Sequence, residues 1–165
     1  MEPAQIKERD IRLLRLALGV STKSPDPTTK VGAVLANDAG IALVWGTNRF
    51  PTGITHDHRL DDRPLKNEIV IHAEPNVVLQ ALGKFGAQEM PFMTLYITHL
   101  PCARCTGIIL DAGIGSVVCI EPSKDFFSRW GASCELSRSL FEEAGVPLTE
   151  YSNEELYQNG KEEPE

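Results

Sequence analysis

The stretch TLYITHLPCARCTGIILDAGIGSVVCI, Thr94–Ile120, decides the fold. Thr94 to Thr98 reads as a strand, Ala103 to Ala112 as a helix closed by Gly113, and Val117 to Ile120 as a short apolar strand. Two strands joined through a helix pair in parallel, the repeating unit of an α/β sheet. Phe126 to Ala144 reads as a further helix, capped by Gly145, and Val146 to Tyr151 as a last strand.

Upstream, the pattern changes. Ile11, Leu14 and Leu18 sit at helical spacing within a predicted helix from about Ile6 to Val20, which Pro25 and Pro27 cannot continue. Val31 to Ala36 and Ile41 to Trp45 read as two strands of a hairpin around the turn Asn37-Asp38-Ala39-Gly40. Asn48 to Asn67 is polar and too long for a bare connection, so it reads as a site loop. His72 to Leu82 is a predicted helix. The order α-β-β-α-β-α-β-α-β predicts a three-layer α/β/α sandwich around a mixed five-stranded sheet. One domain is expected over residues 1–151, followed by an acidic, disordered tail over 152–165.

Composition narrows the function. Apolar residues make up 42% and charged residues 24% of 165, as in an ordinary globular domain. The net charge is −7, and the tail, with five Glu and one Lys, carries −4 of it. No dense run of Lys and Arg is present, so no long nucleic-acid partner is expected, whereas a small anion needs only one or two cations. No apolar run spans a membrane, and the charged N-terminus has no signal-peptide pattern, so the expected location is cytoplasmic. In that reducing compartment the four cysteines read as thiols or metal ligands.

The chemistry lies in two motifs, His72-Ala73-Glu74 and Pro101-Cys102-Ala103-Arg104-Cys105, separated by 26 residues. They form the H-x-E and P-C-x-x-C signature of zinc deaminases. Zinc favours nitrogen and thiolate donors, and three protein ligands (His72, Cys102, Cys105) leave a fourth position for a water that the metal acidifies. Both pairs fall at predicted helix starts, whose positive ends favour thiolate, and Pro75 is tolerated in a first turn. Glu74 is the expected general acid and base. A structural zinc site is the competing reading, with His99, Cys119 or Cys134 as fourth ligand; a redox Cys-x-x-Cys is another.

These motifs resemble the cytidine and deoxycytidylate deaminase superfamily, and further blocks resemble its deoxycytidylate branch. They are Ser24–Ala33 (S-x-D-P-x-T-x-V-G-A), Gly46–Pro51 against G-Y-N-G-F-P, His72–Asn76 (H-A-E-x-N) and Leu140–Val146. The resemblance covers about residues 10 to 150. It implies zinc-dependent deamination of a cytosine nucleotide, dCMP first and CMP, a 5-modified dCMP or a purine as alternatives, by a homo-oligomer. It implies that Asn48 binds the sugar 3′-hydroxyl, that the Ala73 backbone touches the base, and that Ser24 and Arg129 lie near the 5′-phosphate. A tRNA or single-stranded DNA deaminase and a non-catalytic zinc module are the remaining alternatives.

Four departures stand out. Pro25 occupies a common Lys position, Thr47 and Arg49 replace two residues of G-Y-N-G in the loop that shapes the effector site of regulated relatives, and Ile71 replaces a common Cys. Arg49 is a candidate phosphate ligand, and His56 and His58 are candidates for a second zinc. Trp130 is read as a pocket cover or a packing residue, and Cys119 and Cys134 as buried apolar residues.

Overall fold

Alternation along the central strands builds two cores. Leu95, Ile97, Val117 and Cys119 enter one, while Tyr96, Val118 and Ile120 enter the other. The computed structural model describes residues 2–157. Helix α1 (Pro3–Ser21) leads into β1 (Gly32–Asn37) and β2 (Ala42–Thr47). A 3-10 turn (His58–Leu60), α2 (Arg63–Ile69) and α3 (Ala73–Phe85) follow. A second 3-10 segment (Ala87–Phe92) precedes β3 (Met93–Ile97), α4 (Ala103–Asp111), β4 (Ser116–Ile120), α5 (Lys124–Ala144), β5 (Leu148–Tyr151) and α6 (Asn153–Tyr157).

The strand order is β2-β1-β3-β4-β5. β1 pairs antiparallel with β2 and β3, and β3, β4 and β5 run parallel, so the sheet is mixed, as expected. In the hairpin turn Gly40 donates to Asn37 O at 2.8 Å with φ +73°, a conformation glycine adopts without cost. Helices α3, α4 and α5 cover one face through Ala73, Val77, Val78, Ala81, Ile109, Cys134 and Phe141. Helices α1 and α6 cover the other through Ile11, Leu13, Leu14, Ala17, Val20 and Leu156. The three layers are those predicted. Truncating a fully buried leucine such as Leu14 costs about 2–5 kcal/mol.

Two local features fix α1. A Cβ on Gly32 would lie 2.1 Å from Ala17 O, so only glycine lets the end of α1 press on β1. Asp10, on the buried face of α1, accepts from the Tyr96 hydroxyl at 2.8 Å, Arg9 Nη2 at 3.0 Å and the Tyr151 hydroxyl at 3.2 Å. A buried carboxylate with several donors is tolerated, and this one ties α1 to β3 and β5.

Two expectations need correction. The stretch 48–67 is not all loop, because Asp62 caps α2 by accepting from Leu65 N at 3.1 Å, with Pro64 in its first turn. The ordered domain also passes residue 151. Leu156 of α6 is fully buried, its carbonyl accepts from Arg15 Nε at 2.9 Å, and Glu155 pairs with Lys7 at 2.7 Å. The rest of the predicted tail, 158–165, lies outside the described residues. Among the described residues no helix is long and apolar enough to cross a membrane.

Candidate active site

Two helix N-termini meet at one point. His72 is the N-cap of α3, and Cys102, after Pro101, is the N-cap of α4. One helical turn carries Cys105 back towards Cys102. His72 Nδ1 lies 3.9 Å from Cys102 Sγ and 3.4 Å from Cys105 Sγ. The donor atoms of these three side chains all lie within 4.8 Å of one another, the only such metal-competent group among the described residues. His72 is exposed, Cys102 half-buried and Cys105 buried, so the centre opens to solvent on its histidine side.

The α4 turn is braced from behind. Ala103 N, at the first helical position, donates to Ser133 Oγ of α5 at 3.1 Å. Cys102 O accepts from Thr106 N at 2.9 Å, and Thr106 Oγ1 lies 2.7 Å from Ser137 Oγ, both hydroxyls buried. Thus α5 holds the Cys-x-x-Cys turn through two serines.

Charge follows the geometry. A hydrogen bond from Cys105, helped by His72 and opposed by burial, pulls the Cys102 thiol down to about 4. That same bond, with burial, pushes Cys105 up. The hydrogen bond to Cys102 in turn raises His72.

Glu74, in the first turn of α3, is buried, and burial raises its carboxyl above the ordinary range. Its Oε2 has no hydrogen-bond partner in the structure. A buried carboxylate oxygen without a donor is costly in a finished fold and marks a place where a ligand atom completes the bonding. One nitrogen and two sulfurs are donors that zinc favours, and with the orphaned Glu74 oxygen beside them these residues fit that ion.

The other metal candidates stand elsewhere. His99 Nδ1 lies 3.0 Å from Thr98 Oγ1, its ring packs on Phe126, and burial lowers its pKa. Cys119 and Cys134 are buried in the core. None of the three joins the cluster, which leaves the structural-zinc reading without its fourth protein ligand. His56 Nε2 accepts from Phe50 N at 3.2 Å, and His58 is exposed.

The substrate-side candidates divide. Ala73 is fully buried at the first position of α3, where a backbone N–H has no intrahelical partner. Arg49 and Ile71 exchange backbone hydrogen bonds of 3.0 and 2.9 Å, which brings the segment that follows Asn48 alongside the residue before His72. Asn48 is buried, with Oδ1 accepting from Ser24 Oγ at 2.8 Å and Val31 N at 2.9 Å. Its Nδ2 donates to Thr29 O at 2.8 Å and to Asp26 Oδ2 at 3.4 Å. The Ser24 hydroxyl is therefore engaged in supporting Asn48, and also accepts from Asp26 N.

Arg49 binds Asn76 Oδ1 at 2.9 Å and Phe50 O at 2.8 Å. Asn76 in turn donates to Thr47 O at 2.9 Å, a closeness that Gly46 permits, since a Cβ there would lie 2.7 Å from Asn76 Nδ2. Arg129 is exposed on α5 and paired with Asp125 one turn away at 2.8 Å. Trp130 is partly exposed on the same helix. Sequence reasoning missed Lys66, whose buried ammonium donates to Asp26 Oδ1 at 3.0 Å and Thr28 Oγ1 at 2.7 Å. Asp26-Pro27-Thr28-Thr29 carried the one available hint, an Asx turn pattern.

Comparison with known proteins agrees with this geometry. The family model "Cytidine and deoxycytidylate deaminase zinc-binding region" matches residues 7–121. A deaminase of Aliivibrio fischeri, described as uncharacterized and encoded 3′ of luxG, is 36% identical over 138 residues, covering 84% of this chain and 90% of its own. The deoxycytidylate deaminase of Pongo abelii is 26% identical over 163 residues, covering 92% and 87%. The dCMP deaminase of cyanophage S-TIM5, solved in complex with dCMP and dUMP, superposes with a TM-score of 0.64 at 25% identity, covering 92% of this chain and 99% of that one. The chain belongs to the cytidine and deoxycytidylate deaminase family and is a hydrolytic deaminase.

Proposed function

We propose that the protein deaminates dCMP to dUMP and ammonia. The observation that carries this reading is the buried Glu74, with its unpartnered Oε2, beside the His72–Cys102–Cys105 donor set. His72, Cys102 and Cys105 would hold a zinc ion. When bound, the ion acts as a Lewis acid that lowers the pKa of a water from about 16 towards about 7. Glu74 takes a proton from the attacking water and passes it to the ring nitrogen, then takes the remaining proton from the hydroxyl of the adduct and delivers it to the departing amine. Burial raises its pKa above the ordinary carboxylate range, the direction that favours a group which both accepts and donates protons. The reaction balances: the amino heterocycle and water become a carbonyl and ammonia.

The remaining roles belong to the substrate. The Ala73 backbone N–H touches the base. Asn48 binds the sugar 3′-hydroxyl through Nδ2, whose 3.4 Å bond to Asp26 is the longest the amide makes and the easiest to exchange. Ser24 supports Asn48, and Arg129 can swing from Asp125 towards the 5′-phosphate. A cytoplasmic homo-oligomer is part of the same reading, supported by Leu79, Ile108 and Leu136, which stay exposed on α3, α4 and α5.

The test is ammonia release by zinc-loaded protein on dCMP, CMP, deoxycytidine, 5-methyl-dCMP and guanine. Turnover of dCMP well above deoxycytidine is expected. Turnover confined to guanine or to free nucleosides overturns the nucleotide assignment.

A further inference from the structure

We propose that Lys66 is a positioning residue that sets the substrate wall beside His72. Its place is unusual. Lysine is seldom fully buried without a partner, yet Lys66 is 6% exposed and faces Asp26, itself 3% exposed. The ammonium donates to Asp26 Oδ1 at 3.0 Å and to Thr28 Oγ1 at 2.7 Å, and the Thr28 hydroxyl donates to Asp26 Oδ1 at 3.0 Å. Thr28 N and Thr29 N complete the carboxylate at 2.9 and 3.0 Å. Two charges removed from water are retained only when geometry satisfies both, and breaking such a pair leaves a buried charge uncompensated.

The pair spans 40 residues of sequence and joins three segments. Asp26 and Thr28 belong to the turn after α1. Asp26 N donates to Ser24 Oγ at 3.2 Å and Ser24 Oγ donates to Asn48 Oδ1 at 2.8 Å, and the next residue, Arg49, bridges to Ile71 beside His72. Lys66 belongs to α2, whose last turn is closed by Val70 N donating to Lys66 O at 2.9 Å, two residues before His72. Lys66 therefore ties the segment 48–50, through Asp26 and Ser24, to α2, while His72 is held by α3. Its length fixes the separation between the proposed sugar contact and α2. A shift of that wall weakens substrate binding while leaving the His/Cys/Cys centre and Glu74 in place, because those rest on α3, α4 and α5.

The inference rests on the dCMP reading for its substrate, so the experiment carries a second readout that needs none. Lys66→Met and Thr28→Val are compared with the wild type for dCMP kinetics, zinc content and native trypsin cleavage after Arg59. For Lys66→Met the expected result is a KM raised about tenfold, kcat within about threefold, unchanged zinc and faster cleavage after Arg59. Thr28→Val, which keeps both charges, should raise KM by about threefold. Unchanged KM in both variants, or a fall in kcat and zinc content with KM unmoved, overturns the proposal. Should Lys66→Met fail to fold, Thr28→Val decides alone by the same criterion. If the wild type leaves dCMP untouched, the functional reading fails, and cleavage after Arg59 still decides whether Lys66 fixes the wall: unchanged cleavage overturns it.

Discussion

The metal-binding half of the site and its substrate wall are built by different means. Backbone builds the first: two helix N-termini deliver His72 and Cys102, one turn returns Cys105, and two serines of α5 brace the turn. Side chains build the second: Ser24, Asp26, Thr28, Asn48 and Lys66 bond to one another across segments that share little regular structure. Backbone placement tolerates change in neighbouring side chains. A side-chain network fails at any one link, which makes the wall the place where specificity can change while the chemistry stays.

That contrast can be broken at either end. Cys105→Ala should have the largest effect, lowering zinc affinity by more than about a hundredfold, since losing even a supporting partner of a ligand costs about 10–100-fold. Zinc competition with a chelator measures it, and the fold should persist because the α4 helix keeps its core residues. Asp26→Asn should leave zinc bound but cost about 3–5 kcal/mol of stability by stranding Lys66. Its pH dependence has a defined sign. Burial pushes the Asp26 carboxyl up, but bonds from Thr29, Thr28 and Lys66 outweigh it, so the folded value lies below the ordinary 3.8. The stabilisation is complete above 3.8 and is lost as pH falls through the folded value, so wild type and variant should differ fully above 3.8 and converge in thermal melts as the pH is taken progressively below it. Arg129→Ala should be the mildest, raising KM for dCMP by no more than about fivefold, because a solvent-exposed ion pair to the 5′-phosphate contributes at most about 1 kcal/mol.

The two halves also differ in how far the sequence disclosed them. Zinc chemistry imposes residue types and short spacings, so His72, Glu74, Cys102 and Cys105 were readable as a set, and the alternation of apolar residues gave the sandwich and its strand order of appearance. The wall was not readable. Helix α2 escaped notice because its one buried side chain is Lys66, so it has no apolar stripe. Helix α6 hides in an acidic tail behind a single buried Leu156. Lys66 in sequence is indistinguishable from a surface lysine, and only the fold brings it to Asp26, 40 residues away. Arg49, a phosphate candidate on charge alone, is instead bound to Asn76 and Phe50.

The most direct test of the account is dCMP deamination by the wild type and Glu74→Gln side by side, with zinc quantified in both. The account predicts equal zinc and a kcat lowered by about 10²–10⁴-fold in the variant, the loss of a general acid and base. A variant that retains the wild-type rate with its zinc intact contradicts it.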